Sequence, residues 1–448
     1  MKQIFIGILT LFLGLSASFI IGDYVYWRGR YPPNCYFENL NVSGLKRSKA
    51  MHKLALANAD EATRGYITIL LEGKKYKFLP SEIGITIDHR RSIRKTTLVA
   101  YQHSFIRSLM QRLPSMQRTT VLPLSLKVDK KAYSSFLKNV AKQTDVASKD
   151  AGIMFLSGGK YRIRKEVIGK ELDVKASLRA LQGSLNKDQR TATIEVDAHD
   201  PRVYAKDLKP SPPVQRLSKF STFYGVHNSA NRIHNIKHTS AKINDYILLS
   251  GEVYSLVKIV GDINLSSGFK KAFVVIGNSL DPQAGGGACQ VSTTLYNAAI
   301  LAGLDIVERH PHGLYFNIYP LGRDAAIYGR VKDLRFKNNT GHPLLIRAAA
   351  SDSSCTIKIY GTPVPGKRVY FTSPTVYIEG KRPSTDSPKQ TMQRIREILD
   401  KNKKKPFVSV VRMITYQDNR VVDKRVIKSR YRFAAFHDNV DITEPEPE

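Results

Sequence analysis

One cysteine in this chain sits where a thiol becomes reactive. Gly285-Gly286-Gly287 leads into Ala288-Cys289, after which Val291, Leu295, Ala298, Ala299 and Ala302 recur at helical spacing until Gly303 ends the pattern. Glycines open backbone angles closed to other residues and let a substrate approach the main chain. Cys289 is thereby placed at a helix N-terminus, where unpaired N–H groups and the helix dipole lower a thiol pKa from its usual value of about 8.5. The same N–H groups can stabilise an oxyanion. Cysteine hydrolases and acyl transferases need this arrangement. Gly286, Gly287, Gln290 and Ser292 flank the thiol and are expected to contact substrate.

A general base follows downstream in Arg309-His310-Pro311-His312, far enough along for the helix to end and a strand to return. Either His312 or His310 can take the thiol proton and later protonate a leaving amine. Asp324 is placed to orient that histidine, and Arg323 to hold a substrate carboxylate with its fork of donors. Two blander readings compete. A buried free cysteine behaves as a small hydrophobe, and Cys289, His310 and His312 with His342 or Cys355 would make a zinc site. The spacings match no familiar zinc pattern, so no metal is expected. Cys355 lies in an alternating strand-like run and reads as structural, and Cys35 as incidental.

The elements that carry these residues sit in a long, basic chain. At 448 residues it exceeds one compact core, and a formal charge of +32 predicts an anionic partner. Residues 4–21 form an uncharged apolar run, just long enough to cross a bilayer and followed by Trp27, Arg28 and Arg30. Ser16-Ala17-Ser18 resembles a cleavage site, but the apolar run continues past it, favouring a retained anchor over residues 1–30. Export makes nucleic acid an unsuitable partner. The three cysteines make no disulfide framework, and an odd count leaves at least one free thiol.

Residues 34–205 hold an internal repeat. Gly73, Lys75, Tyr76, Ile83, Gly84, Asp88, Ser92 and Arg94 recur as Gly158, Lys160, Tyr161, Ile168, Gly169, Asp173, Ser177 and Arg179, each pair 85 residues apart. Two α+β modules are expected, 34–120 and 121–205, each with a helix, a strand pair and a second helix. A proline-rich linker over 206–214 precedes the block 215–362, which carries the cysteine. The extension 363–448 is expected to hold a helix near 391–399, a hairpin turning at Asp418-Asn419, and a disordered acidic tail at 444–448. The fold class is therefore α+β and multidomain, with an N-terminal transmembrane helix.

The block from Phe220 to Gly361 resembles a VanW domain, a family named from glycopeptide-resistance gene clusters. The resemblance rests on Asn231-Arg232-Ile233-His234-Asn235-Ile236, Gly251-Glu252-Val253-Tyr254-Ser255, the Gly285 to Asn297 motif, Glu308-Arg309-His310-Pro311-His312, Gly322-Arg323-Asp324-Ala325 and Phe336-Lys337-Asn338-Asn339. The repeated modules resemble the peptidoglycan-binding domains that precede VanW domains. The resemblance implies a mixed α/β domain working on peptidoglycan as an L,D-transpeptidase, without a cofactor. The expected partners are peptidoglycan, anionic wall polymers and the cytoplasmic membrane, with the bulk of the chain extracytoplasmic. A non-catalytic wall-binding or accessory protein linked to glycopeptide response is the alternative, and a peptidase using the same nucleophile with water as acceptor is a third reading.

Overall fold

The computed structural model of the chain describes residues 2–63, 65–100, 119–224, 229–276, 279–316, 318–378 and 406–432. The helix expected near 391–399 and the tail 444–448 lie outside them. Helix α1 (Lys2–Trp27) runs through the expected anchor, but the side chains of residues 1–13 also lie outside the described ones. Among the described residues, no helix is long and apolar enough to cross a membrane.

The chain divides into two compact units, residues 1–149 with 168–200, and residues 150–167 with 201–448. In the first, helices α2 (Arg47–Leu56) and α3 (His89–Ala100) belong to one copy of the repeat, and α4 (Lys130–Thr144) and α5 (Val174–Asn186) to the other. The repeated residues build the same joint twice. Asp88 caps α3 by accepting the N–H of Arg91 at 2.9 Å, and Asp173 caps α5 by accepting that of Ala176 at 2.8 Å. One turn on, buried Ser92 accepts the N–H of Ser125 and buried Ser177 that of Glu195, both at 2.9 Å. The N–H groups of Asp88 and Asp173 donate back to the carbonyls of Ser125 and Glu195.

The two copies nevertheless do not fold as separate modules divided at residue 120. Strand β1 (Ile67–Leu71) of the first copy pairs in parallel with β4 (Thr191–Thr193) of the second, and β2 (Ile85–Ile87) pairs with β3 (Leu126–Val128). Phe37, Ile67, Ile85, Tyr133 and Leu181 share one core. The physical reason is edge pairing. Each copy alone would leave strand edges open and too little apolar surface covered, and the other copy supplies both. The hairpin of Gly152–Phe155 and Tyr161–Arg164 goes to the other unit, where Ile153 packs with Val203, Leu208, Ile247 and Leu345.

The second unit is built on an antiparallel sheet of β5 (Gln215–Phe223), β6 (Tyr246–Leu248), β7 (Leu344–Ala350) and β8 (Ser354–Gly361), ordered β5-β8-β7-β6. Helices α6 (Ala230–Ile243) and α7 (Ala288–Leu301) pack on one face of it, with Ile236, Leu295, Ile357 and Ile359 in the common core. Cys355 is fully buried in this core, with Sγ 3.6 Å from Ser240 Oγ. The segment after residue 363 is not a separate extension. Strands β9 (Lys367–Phe371), β10 (Thr375–Ile378), β11 (Phe407–Gln417) and β12 (Arg420–Tyr431) form a sheet centred on β11, and Met413 enters the same core. The β11–β12 turn has Asp418 and Asn419 at φ 50° and 64°, the left-handed pair that matches hairpin twist.

Gly84 tests the shared core of the first unit. Its φ is +69°, and an added Cβ would lie 2.5 Å from Ala132 Cβ on α4 of the other copy. Gly84→Ala is expected to lower the stability of this unit by roughly 2–4 kcal/mol, combining left-handed strain with overpacking. Urea denaturation followed by far-UV circular dichroism measures it.

Candidate active site

Helix α7 begins at Gly287, whose φ of 111° excludes a side chain, and a Cβ there would lie 2.9 Å from Ile236 Cγ1. Gly286 is packed just as closely. An added Cβ would come within 2.6 Å of the Ala272 carbonyl oxygen, and the Gly286 carbonyl accepts from Asn235 Nδ2 at 3.0 Å. These glycines seat the helix end against protein rather than against a substrate.

From Ala288 to Ile300, every α7 residue except Cys289 is buried. The helix has no polar outer face, contrary to the one-sided apolar pattern expected. Its polar side chains instead grip neighbouring segments. Thr293 Oγ1 accepts the N–H of Ala325 at 3.0 Å, Asn297 Nδ2 donates to the Arg323 carbonyl at 2.8 Å, and the Thr294 and Thr222 hydroxyls pair at 2.8 Å. Together they clamp residues 323–325 along the helix. Asp324 is positioned by this clamp.

Asp324 is 3% exposed and receives four donors. The backbone N–H and Nδ1 of His312 reach Oδ2 at 2.6 and 2.7 Å, while Arg309 Nη2 and the Tyr431 hydroxyl reach Oδ1 at 2.9 and 2.5 Å. Burial works to raise its pKa, but the His312 and Arg309 contacts outweigh burial and hold it below the usual 3.8. Because Nδ1 of His312 is taken by Asp324, the other ring nitrogen is left to interact with Cys289. Burial would depress the imidazole, yet Asp324 and Cys289 push it up from 6.5 to about 9. Burial likewise works to raise the thiol, and the His312 hydrogen bond and charge, with the Arg232 charge, bring it below its ordinary 9.0. Both shifts run in the direction that favours a thiolate–imidazolium pair. Cys289 Sγ also lies 3.5 Å from the Ile327 carbonyl oxygen.

The structure thus brings Cys289, His312 and Asp324 into one line. Other residues expected at the site lie elsewhere. His310 faces away, its Nε2 3.0 Å from Glu308 Oε1, because the His310–Ala326 bridge holds its backbone and Pro311 turns the chain before His312. Arg323 does not offer its fork to a ligand. Its guanidinium lies over Phe371 at 4.6 Å and Phe220 at 5.9 Å. Gln290 is fully buried, accepting from Arg232 Nη2 at 3.1 Å and donating to the Phe223 carbonyl at 3.3 Å, and Ser292 is fully buried too. Among the described residues no group of three or more His, Cys, Asp or Glu side chains could hold a metal ion.

Several groups here were not singled out from the sequence. Tyr319 stacks on His312 at 5.4 Å and Phe316 meets it edge-on at 5.1 Å, walling the imidazole. Tyr431 accepts the Gly322 N–H at 3.0 Å while donating to Asp324, and Ser429 Oγ accepts from Arg309 Nη1 at 2.8 Å. The only local sign of them was the polar run Ser292-Thr293-Thr294 with Asn297 on an otherwise apolar helix.

Two outcomes test this geometry. The thiolate absorbance of Cys289 is expected to titrate with a midpoint below 9.0, and His312→Gln to move that midpoint up, because the cation that favours the thiolate is gone. The sign follows from the lowered pKa: thiolate persists as pH falls and is lost only through the lowered value. Tyr431→Phe removes one donor from a buried carboxylate and is expected to cost about 1–3 kcal/mol in thermal unfolding. Because the carboxylate then keeps more of its charge for the imidazolium, the pH at which His312 loses its proton should rise, followed by its ring NMR shifts.

Residues 231–360 match the family described as VanW like protein, and residues 76–193 match one described as "Putative peptidoglycan binding domain". The chain is 35% identical over 155 residues to the uncharacterized protein YoaR of Bacillus subtilis (strain 168), covering 35% of this chain and 51% of that one. It is 23% identical over 154 residues to the vancomycin B-type resistance protein VanW of Enterococcus faecalis (strain ATCC 700802 / V583), covering 33% and 56%. The chain therefore spans about half the length of the curated relatives it matches. No solved structure matches significantly. Residues 231–360, which contain Cys289, His312 and Asp324, are thus similar to VanW domains, and they follow a segment similar to a peptidoglycan-binding domain.

Proposed function

We propose that the protein is a cell-wall enzyme whose Cys289 carries out acyl transfer on peptidoglycan stem peptides, in the manner of an L,D-transpeptidase. The observation that supports this reading is the half-buried Cys289 at a helix N-terminus, joined through His312 to the saturated carboxylate of Asp324. A thiolate needs no separate deprotonation step, and the imidazolium beside it is already charged with the proton the leaving group requires.

In the first half-reaction the Cys289 thiolate attacks a stem-peptide carbonyl, and the helix N-terminus faces the developing oxyanion. The C–N bond then breaks as His312 passes its proton to the leaving amine. A thioester and a neutral imidazole remain. In the second, an acceptor amine attacks the thioester, His312 takes the amine proton, and the C–S bond breaks to restore the thiolate–imidazolium pair. Asp324 keeps the imidazole in one tautomer throughout.

The setting belongs to the same proposal. The peptidoglycan-binding match, the net charge of +32 and the vancomycin-resistance name of the Enterococcus relative support a place outside the cytoplasmic membrane, against a wall rich in anionic polymer. The apolar run at residues 4–21 would be its anchor.

Incubation with muropeptides is expected to give a thioester on Cys289, read by intact-protein mass spectrometry, and cross-linked dimers when an acceptor is present. Cys289→Ala should abolish both, and His312→Ala should slow acylation by roughly 10²–10⁴-fold. His310→Ala should leave acylation nearly unchanged. Absence of thioester and of cross-links with the native protein would return the chain to a non-catalytic wall-binding role, and cross-linking by the Cys289→Ala protein would move the nucleophile away from Cys289.

A further inference from the structure

Arg232 stands beside the thiol with hydrogen-bonding capacity to spare. It lies in the first turn of α6, where its N–H is capped by Ser229 Oγ at 3.2 Å. Its side chain passes along Gly287, with Cγ 3.2 Å from where a Cβ on that glycine would sit. Its Nη2 donates to Gln290 Oε1 at 3.1 Å, and its charge acts on Tyr319, the ring stacked on His312. It therefore lies next to Gln290, the chain neighbour of Cys289, and acts on the ring that stacks on His312.

The other buried or half-buried arginines of this unit already have counter-charges or aromatic covers. Arg309 pairs with Asp324, Arg202 with Asp150 and Glu252, and Arg425 with Asp305 and Asp423. Arg323 lies over its two phenylalanines. Among the described residues, no carboxylate pairs with Arg232, and its known partners there are a neutral amide and a phenol. A guanidinium has five N–H donors in a fixed fork that fits a carboxylate with two parallel bonds. The anion that its charge favours is the Cys289 thiolate, which is consumed once the C–S bond forms, and a half-buried guanidinium without a carboxylate partner then favours the arrival of another anion.

We infer that Arg232 anchors a free α-carboxylate on the leaving residue, so that the substrate is a peptide ending one residue beyond the carbonyl that Cys289 attacks. This rests on the proposed role of Cys289 as nucleophile. Only the amide nitrogen and one Cα separate such a carboxylate from the attacked carbonyl, which matches an anchor that abuts Gly287 and Gln290. Arg232 thus takes the part that the sequence pattern suggested for Arg323. A terminal residue would be favoured over an internal one because an internal peptide bond brings no charge to the fork.

The test uses the full chain and two alkylating probes of one size, iodoacetate and iodoacetamide, with the adduct on Cys289 followed by mass spectrometry. Loss of thiolate slows both probes equally, so their ratio isolates the anchor. Arg232→Gln is expected to lower the preference for iodoacetate by about tenfold, the effect of removing one charge a few Å away at intermediate dielectric. Arg232→Lys should retain most of it. In a second arm, a stem peptide with a free C-terminus should acylate the native protein faster than the same peptide amidated, and Arg232→Gln should erase the difference. An unchanged probe ratio in Arg232→Gln overturns the anchor while leaving the nucleophile standing. A Cys289 that reacts with neither probe faster than an ordinary free thiol overturns the nucleophile, and the anchor with it.

Discussion

The organisation of the second unit follows from one buried carboxylate. Asp324 is almost fully removed from water, and an ionised carboxyl in that position costs several kcal/mol unless its oxygens are bonded. Its four donors come from two stretches distant in sequence, residues 309–312 and Tyr431 at the end of β12. Each stretch must be in place for the other to be satisfied. The Thr293 and Asn297 grips on residues 323–325 and the docking of the C-terminal sheet are the structural means by which α7 and β12 meet that requirement.

A second consequence is that α7 behaves as a core helix with a single outlet. Gln290, Thr293, Thr294 and Asn297 are fully buried and bonded inward, so the first turn presents only the thiol to the surroundings. Charge then passes along a short line. Asp324 stabilises the protonated His312, and His312 in turn stabilises the ionised Cys289. The pH dependence carries the same logic with opposite signs. The His312 contribution to folding is complete below 6.5 and is lost as pH rises through about 9. That of Asp324 is present above 3.8 and is lost as pH falls through its lowered value.

Local chemistry was legible in the sequence, and long-range pairing was not. The N-caps at Asp88 and Asp173 act over three residues, so an 85-residue repeat of residue types becomes a repeat of geometry. The same holds for a thiol placed two residues after a glycine that starts a helix. What escaped was set by partners far along the chain. His310 and His312 differ by two positions, and only the placement of Asp324 decides between them. Arg323 looked like a ligand for carboxylate because Phe371, which covers it, belongs to a sheet that begins beyond the recognisable block. The repeat likewise hid its own interleaving, since residue types do not tell whether a strand pairs within its copy or across to the other.

Tyr431 ties the C-terminal sheet to the buried carboxylate. It is among the last residues described, and its hydroxyl completes the Asp324 shell that begins more than a hundred positions earlier. A nascent or partly folded chain holds Cys289 before it holds β12, and in that interval the acid that steadies His312 lacks one of its four donors. Closing the β11–β12 hairpin over Gly322 and Asp324 supplies the one donor of that shell that comes from outside residues 309–312.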